Sequence, residues 1–355
     1  MMKHYRIGLA GAGWVSEHHL DAYEKLKDRA EVVAIADPRI EAATARAEQY
    51  GIPAIYHSVE AMLAQEELDA LDIAAPREHH VPLCRLAARH GLAILCQKPL
   101  APTLPEAEAL VAEVGDRTRL MVHENWRFRP HYRQTRAWID AGRIGAVRSA
   151  RMSLLTSGLL PDETGKLPAL ERQPMLAGLE RMLLMEVMIH HVDTLRFLLG
   201  PLALREARLD KRCGQIRGED RATLQLATAD GVPVLLHGDF MVPGQPAAQR
   251  DRGEIVGSAG SIVLRDDELR LATTSPDETP APLKEAQTSP DEIQETETPA
   301  ATTVRVDLQA DYKESYRAAI AHFLERLADG GPFETSARDN LQTLAIVEAA
   351  YQMGL

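Results

Sequence analysis

RIGLAGAGWVS, residues 6–16, runs from an apolar segment through Gly8, Gly11 and Gly13 into an amphipathic stretch. Glycines at a strand-to-helix turn let the chain reverse tightly and bring backbone N–H groups up to a pyrophosphate, which the helix N-terminus favours electrostatically. Gly11-x-Gly13 fits that fingerprint, with Ser16 where a third Gly or Ala usually stands. A turn needing glycine on steric grounds alone would read the same way, so the next acidic residue carries weight. Asp37 closes Val32-Val-Ala-Ile-Ala-Asp37, where a carboxylate meets adenosine ribose hydroxyls. The two signals together predict a dinucleotide site, with Gly11, Gly13, Trp14 and Val15 in the phosphate loop and Asp37 at the ribose. A carboxylate there repels a ribose 2'-phosphate, which favours NAD over NADP, although nearby Arg39 can accommodate such a phosphate.

Outward from this turn, short apolar runs alternate with amphipathic ones. Residues 6–10, 31–36, 71–75, 93–96 and 120–123 read as strands; 17–28, 40–50 and 78–90 read as helices. That alternation predicts an α/β fold, a doubly wound parallel sheet with ligands at the carboxyl ends of its strands. Past residue 123 the pattern changes. An almost wholly apolar helical segment, 179–199, stops at Gly200-Pro201, and strand-like runs follow at 222–227, 233–240, 253–256, 261–264 and 268–272. Strands without intervening helices predict a largely antiparallel sheet. Helices at 312–328 and 337–352 close the chain, the second after Thr335 and Ser336, either of which can cap it. The expected boundary falls near residue 123, between the doubly wound domain over 1–123 and a second domain over 124–355. Within the latter, residues 273–303 are rich in Thr, Pro and Glu, repeat TSPDE at 274–278 and 288–292, and read as a solvated loop.

A chain of 355 residues with a net charge of -12 and no basic cluster argues against a nucleic-acid partner. No apolar stretch reaches the roughly 18 residues of a membrane span. Cys84, Cys96 and Cys213 have no metal-type spacing and are too few for a disulfide framework, which predicts buried reduced thiols and a cytoplasmic protein.

Two further stretches carry chemistry. In Cys96-Gln97-Lys98-Pro99, a lysine follows the strand at 93–96, and the proline biases it away from helix. There it can donate to a substrate hydroxyl and stabilise a developing alkoxide; a surface lysine beside a turn is the plainer reading. In Glu186-Val-Met-Ile-His190-His191-Val-Asp193, Glu186, His190 and Asp193 share one face of the apolar helix. Ionisable groups buried in such a helix cost several kcal/mol unless they pair or line a cleft. His190 suits general acid/base work with Glu186 orienting it, and a satisfied core Glu/His pair is the alternative. The adjacent histidine pairs 18–19, 79–80 and 190–191 diverge on a helix, so no metal is expected.

These motifs, in this order, resemble the Gfo/Idh/MocA family of NAD(P)-dependent sugar and polyol oxidoreductases over nearly the whole chain. Ala75-Pro76-Arg-Glu-His-His80 looks like the family's T-P-x-x-x-H, and residues 91–100 look like its G-K-H-V-L-C-E-K-P-L. Residues 186–193 stand in place of D-x-G-x-H-x-x-D, and Gly257-Ser-Ala-Gly-Ser-Ile262 in place of G-x-x-G-x-I; Arg338 to Tyr351 completes the match. The resemblance implies a Rossmann domain over 1–123 followed by an α/β substrate-binding and oligomerisation domain over 124–355 with an open, mostly antiparallel sheet, and that Pro76, His80, Gln97 and Lys98 join the cofactor site. It also implies that Lys98 positions the reacting hydroxyl, His190 takes its proton, Glu186 orients His190, and the chain forms homodimers or homotetramers. Gln97, Glu186 and Met188 depart from the pattern's Glu, Asp and Gly, and Met188 would narrow or reshape the substrate site. Cys96 to Pro99 with Met121-Val-His-Glu-Asn125-Trp-Arg127 looks similar to a branch oxidising the branched aldopentose D-apiose, with Asn125 and Arg127 placed for sugar hydroxyls. Two other members' roles remain open at this level: a non-catalytic dinucleotide-sensing regulator, and an NAD-dependent glycosidase.

Overall fold

Strands covered on both faces read as near-continuous apolar runs, and the first six do, each interrupted by at most one polar or charged residue. They are Tyr5–Ala10 (β1), Ala30–Ala36 (β2), Ala54–Tyr56 (β3), Ala70–Ile73 (β4), Ala93–Gln97 (β5) and Leu120–His123 (β6). In this computed structural model, which describes residues 3–115, 118–274, 295–298 and 301–354, they pair in parallel in the order β3-β2-β1-β4-β5-β6. Helices Trp14–Glu24 (α1), Ile40–Tyr50 (α2), Val59–Leu63 (α3), His80–Arg89 (α4) and Leu104–Val114 (α5) make the crossovers. The order reverses between β1 and β4, so their carboxyl ends flank the switch point where such sheets bind ligands, with β5 and β6 following on the β4 side.

The second sheet takes its strands from later in the chain. After Pro130–Asp140 (α6) come Val147–Leu155 (β7), Pro168–Arg172 (α7), a π-helical run Leu183–Met188, and Ile189–Leu199 (α8). Then follow Leu202–Asp210 (β8), Arg221–Thr228 (β9), Pro233–Asp239 (β10), Asp251–Gly257 (β11), Gly260–Arg265 (β12), Glu268–Thr273 (β13), Glu295–Thr298 (β14) and Ala301–Arg305 (β15). Their order is β14-β15-β13-β12-β11-β7-β10-β9-β8, with β7 and β10 parallel and the other pairs antiparallel. This is the open, mostly antiparallel sheet expected. The segment read as a loop over 273–303 differs where it is described, since β14 and part of β15 are paired strands; the rest, including most of both TSPDE repeats, lies outside the described residues.

Leu308–Asp329 (α9) and Ala337–Gly354 (α10) end the chain. The molecule divides into one unit of Met1–Arg129 with Tyr312–Glu348 and another of Pro130–Asp311 with Ala349–Leu355. The sequence reading had instead given everything after 123 to the second domain. The difference is one of packing: Tyr316, Ile320, Phe323 and Phe333 bury in the same core as Leu9, Leu20, Tyr23 and Ile35. The segment between α9 and α10 also covers the edge of β6. Val122 N–H donates to the Thr335 carbonyl (2.8 Å), and Thr335 Oγ1 donates back to the Val122 carbonyl (2.6 Å). With Thr335 so engaged, Ser336 is the cap of α10, its Oγ accepting from Asp339 N–H at 3.2 Å.

Candidate functional site

In the first unit the phosphate loop is shaped by what glycine lacks. Gly11 has φ +104, and a Cβ there would lie 2.6 Å from the Ala74 carbonyl oxygen, so no other residue fits without displacing β4's end. A Cβ on Gly13 would meet nothing within 4 Å: the backbone faces open space at the start of α1, where a ligand can approach it. Gly13 precedes α1 with extended backbone and no side-chain cap; Ser16 N–H turns back to the Gly13 carbonyl at 3.2 Å, and the first N–H groups of a helix have no intrahelical acceptor. Ser16, fully buried, donates from Oγ to the Gly13 carbonyl at 2.6 Å. Asp37 accepts from Ala12 N–H through Oδ2 and from Arg39 N–H through Oδ1, both at 2.8 Å, so the carboxylate at the end of β2 braces the glycine loop. Arg39 reaches it only at 3.6 Å, with its side chain 72% exposed. Trp14 is 49% exposed and edge-on to His18, while Val15 packs on the core. An open glycine cradle, an uncapped helix start and a fixed carboxylate fit a dinucleotide.

Lys98 stands at the carboxyl end of β5, and its peptide bond to Pro99 is cis. Two neighbours hold this loop. His80 places Nδ1 2.7 Å from the Pro99 carbonyl and Nε2 2.9 Å from the Ala75 carbonyl, tying the end of β5 to the end of β4. The His80 ring is thus buried in the scaffold, and exposed Pro76 sits between its two anchor points in the chain. Gln97 accepts from Lys98 N–H through Oε1 at 3.2 Å, while its Nε2 lies 2.8 Å from His19 Nε2 and 3.1 Å from His123 Nδ1. His19 Nδ1 in turn is 2.8 Å from Asp72 Oδ2.

The register that pairs Gln97 with His123 makes the next residues, Lys98 and Glu124, neighbours across the strand ends. Glu124 is fully buried, and burial pushes its carboxyl up to about 7 against the opposing pull of Lys98 and Arg127. Sequence reasoning assigned it nothing; its signal was an acidic residue directly after an apolar strand, beside the strand that ends in Lys98. The two residues expected to meet sugar hydroxyls have donors engaged within the unit. Asn125 Nδ2 donates to Ser315 Oγ (2.7 Å); Arg127 donates to the Glu334 carbonyl (3.1 Å) and to Asp339 Oδ2 (3.2 Å).

In the second unit, the helix expected over 179–199 is not uniform. Its first part, containing Glu186, is π-helical, and α8 begins at Ile189, so α-helical face spacing does not carry across the junction. His190 and His191 are both buried. His191 Nε2 lies 2.9 Å from Asp251 Oδ1, and Tyr132 Oη donates to Asp251 Oδ2 at 2.7 Å, a buried hub joining α8, α6 and β11. Asp193 is fully buried with Arg196 Nη1 at 3.9 Å. Met188, expected to intrude on the substrate site, is fully buried against β10: a Cβ on Gly238 would lie 2.3 Å from its sulfur. The absent side chain at 238 takes up the bulk added at 188.

Among the described residues, no group of three or more His, Cys, Asp or Glu side chains is placed to hold a metal, and no helix is long and apolar enough to cross a membrane. The three cysteines are buried and unbridged.

Comparison with known proteins agrees with this architecture. The oxidoreductase family with an NAD-binding Rossmann fold matches residues 5–124, and the GFO/IDH/MocA C-terminal domain matches residues 132–263. The chain is 33% identical to the D-apiose dehydrogenase of Paraburkholderia graminis, covering 99% of this chain and 88% of that protein. It is 28% identical to the inositol 2-dehydrogenase of Rhizobium meliloti, covering 97% and 95%. The solved structure of an oxidoreductase from Agrobacterium radiobacter, in complex with NAD+, L-tartaric acid and magnesium, matches with a TM-score of 0.84 at 28% identity, covering 98% and 96%. The chain belongs to the Gfo/Idh/MocA family and is an NAD-binding oxidoreductase.

Proposed function

We propose that this family member is an NAD-dependent dehydrogenase of a sugar or polyol, with D-apiose or another aldose as substrate. The observation that carries the reading is Lys98, held from two sides at the carboxyl end of β5 in a sheet whose first turn is open to a pyrophosphate. The dinucleotide, when bound by the Gly11–Val15 turn and Asp37, supplies the two-electron acceptor. The Lys98 ammonium donates to the reacting hydroxyl and offsets the negative charge that grows on its oxygen as the C–H bond breaks. His190 takes the hydroxyl proton and Glu186 orients His190. The product is the carbonyl, a lactone when a cyclic aldose reacts at its anomeric carbon. The roles of Lys98, His190 and Glu186 rest on the motif positions they occupy. Gln97, Pro76 and His80 shape the Lys98 loop, and Asn125 and Arg127 hold the end of β6. The Asp37 carboxylate favours NAD over NADP.

The D-apiose reading is supported by the relative from Paraburkholderia graminis and by the CQKP and MVHENWR stretches. The family likeness also supports a cytoplasmic homodimer or homotetramer, which sedimentation would count directly. The test of function is spectrophotometric: purified protein with NAD, then NADP, against D-apiose, other aldoses, inositols and polyols. NADH formation with a sugar or polyol, and slower or no NADPH formation, is expected. NAD binding by titration with silence across the whole panel would overturn the reading.

A further inference from the structure

Gln97 sits inside a buried polar chain whose hydrogens fit in one arrangement. Lys98 N–H faces Oε1, so the amide nitrogen is the end that faces the two imidazoles, 2.8 Å from His19 Nε2 and 3.1 Å from His123 Nδ1. An amide nitrogen has two hydrogens and nothing to accept with, so both ring nitrogens must be bare acceptors. His19 then carries its hydrogen on Nδ1, 2.8 Å from Asp72 Oδ2, and His123 carries its hydrogen on Nε2. His19 and His123 are fully buried with ring centroids 4.5 Å apart, and Tyr316 lies 4.9 Å from His123, so charging both rings would set two cations side by side away from water.

We propose that His19, Asp72, Gln97 and His123 are positioning residues for Lys98: two neutral imidazoles, locked in opposite tautomers, hold Gln97 Oε1 against the Lys98 N–H, and the chain works only with an amide at 97. Its effect on turnover rests on the role given to Lys98 above; the tautomers stand without it. A carboxylate at 97 has no hydrogen to give and would draw protons onto the histidines. The titratable groups around the chain are Asp72 on β4, Cys96 on β5, His18 and Tyr23 on α1, and Tyr316 on α9, with Lys98 and Glu124 just past the strand ends.

The test uses the full chain with ring-15N-labelled histidine, the two signals assigned through His19→Gln and His123→Gln. Two-bond 1H–15N spectra should show one Nδ1–H and one Nε2–H ring, both neutral at neutral pH; a charged ring, or the reverse tautomers, overturns the proposal. In Gln97→Glu at least one of the rings should be protonated at neutral pH. The ratio of its kcat to the parent's should be lowest in alkali, down on the order of 10- to 100-fold, and rise as pH falls. Gln97→Met, which neither donates nor accepts through nitrogen or oxygen, should lose kcat with a ratio flat in pH, and its circular dichroism reports folding. Rings unchanged in Gln97→Glu, with a flat ratio, overturn the proposal. A parent without turnover on any sugar would sink the dehydrogenase reading while the ring spectra still decide the chain.

Discussion

A carboxyl group removed from water at the end of a strand changes its chemistry, and Glu124 is such a group. Burial raises it from the usual 4.5 to about 7, so across that interval the folded protein keeps a proton that the unfolded chain has lost. Its contribution to stability is therefore complete below the lower value and is lost as pH rises through the upper one, a swing on the order of 3 kcal/mol. Glu124→Gln should flatten the fall in thermal midpoint between about pH 4.5 and 7; parallel curves for parent and variant would contradict the assignment. The same residue shows why part of the site was illegible in the sequence. Gly11, Gly13, Asp37 and Lys98 announce themselves by spacing, because the turn and the strand ends are local. Asp72 and His19 are 53 residues apart, and neither has a local pattern that names the other.

At the scale of elements, the compensation between Met188 and Gly238 couples the π-helical run to β10. Gly238→Ala would force a Cβ to 2.3 Å from the methionine sulfur, and overpacking of this kind costs about 1–3 kcal/mol. Met188→Ala in the same chain should recover part of that loss, so the two effects are non-additive. Additive loss in urea unfolding would show that the contact does not matter. Elements with continuous apolar runs, β1, β2, β4, β5 and β6, were readable because both faces are buried. β7, in Val147-Arg-Ser-Ala-Arg-Met-Ser-Leu-Leu155, was not: it buries one face only and its outward residues are polar or charged. β8 fails for a similar reason, with four charged residues, Arg205, Glu206, Arg208 and Asp210, among its nine positions, and β3 is three residues long. The π-helical run had no signal, since a stretch apolar at every position but Glu186 hides the change from α spacing.

At the scale of the whole molecule, the order of chemistry along the chain, glycine turn, Asp37, Lys98, then Glu186 and His190, was readable and pointed to the family. The return of Tyr312–Glu348 to the first unit was not, because an amphipathic helix carries no label for the core it will join. The central claim is that Lys98 and His190 act on the substrate and leave cofactor binding to the glycine turn. It is tested most directly by kcat of Lys98→Ala and His190→Ala on the best sugar, beside NAD affinity by titration. Each variant should lose about 10²- to 10⁴-fold in kcat with NAD affinity nearly unchanged. Parent-like turnover in either variant, or loss of NAD binding in both, would contradict the account.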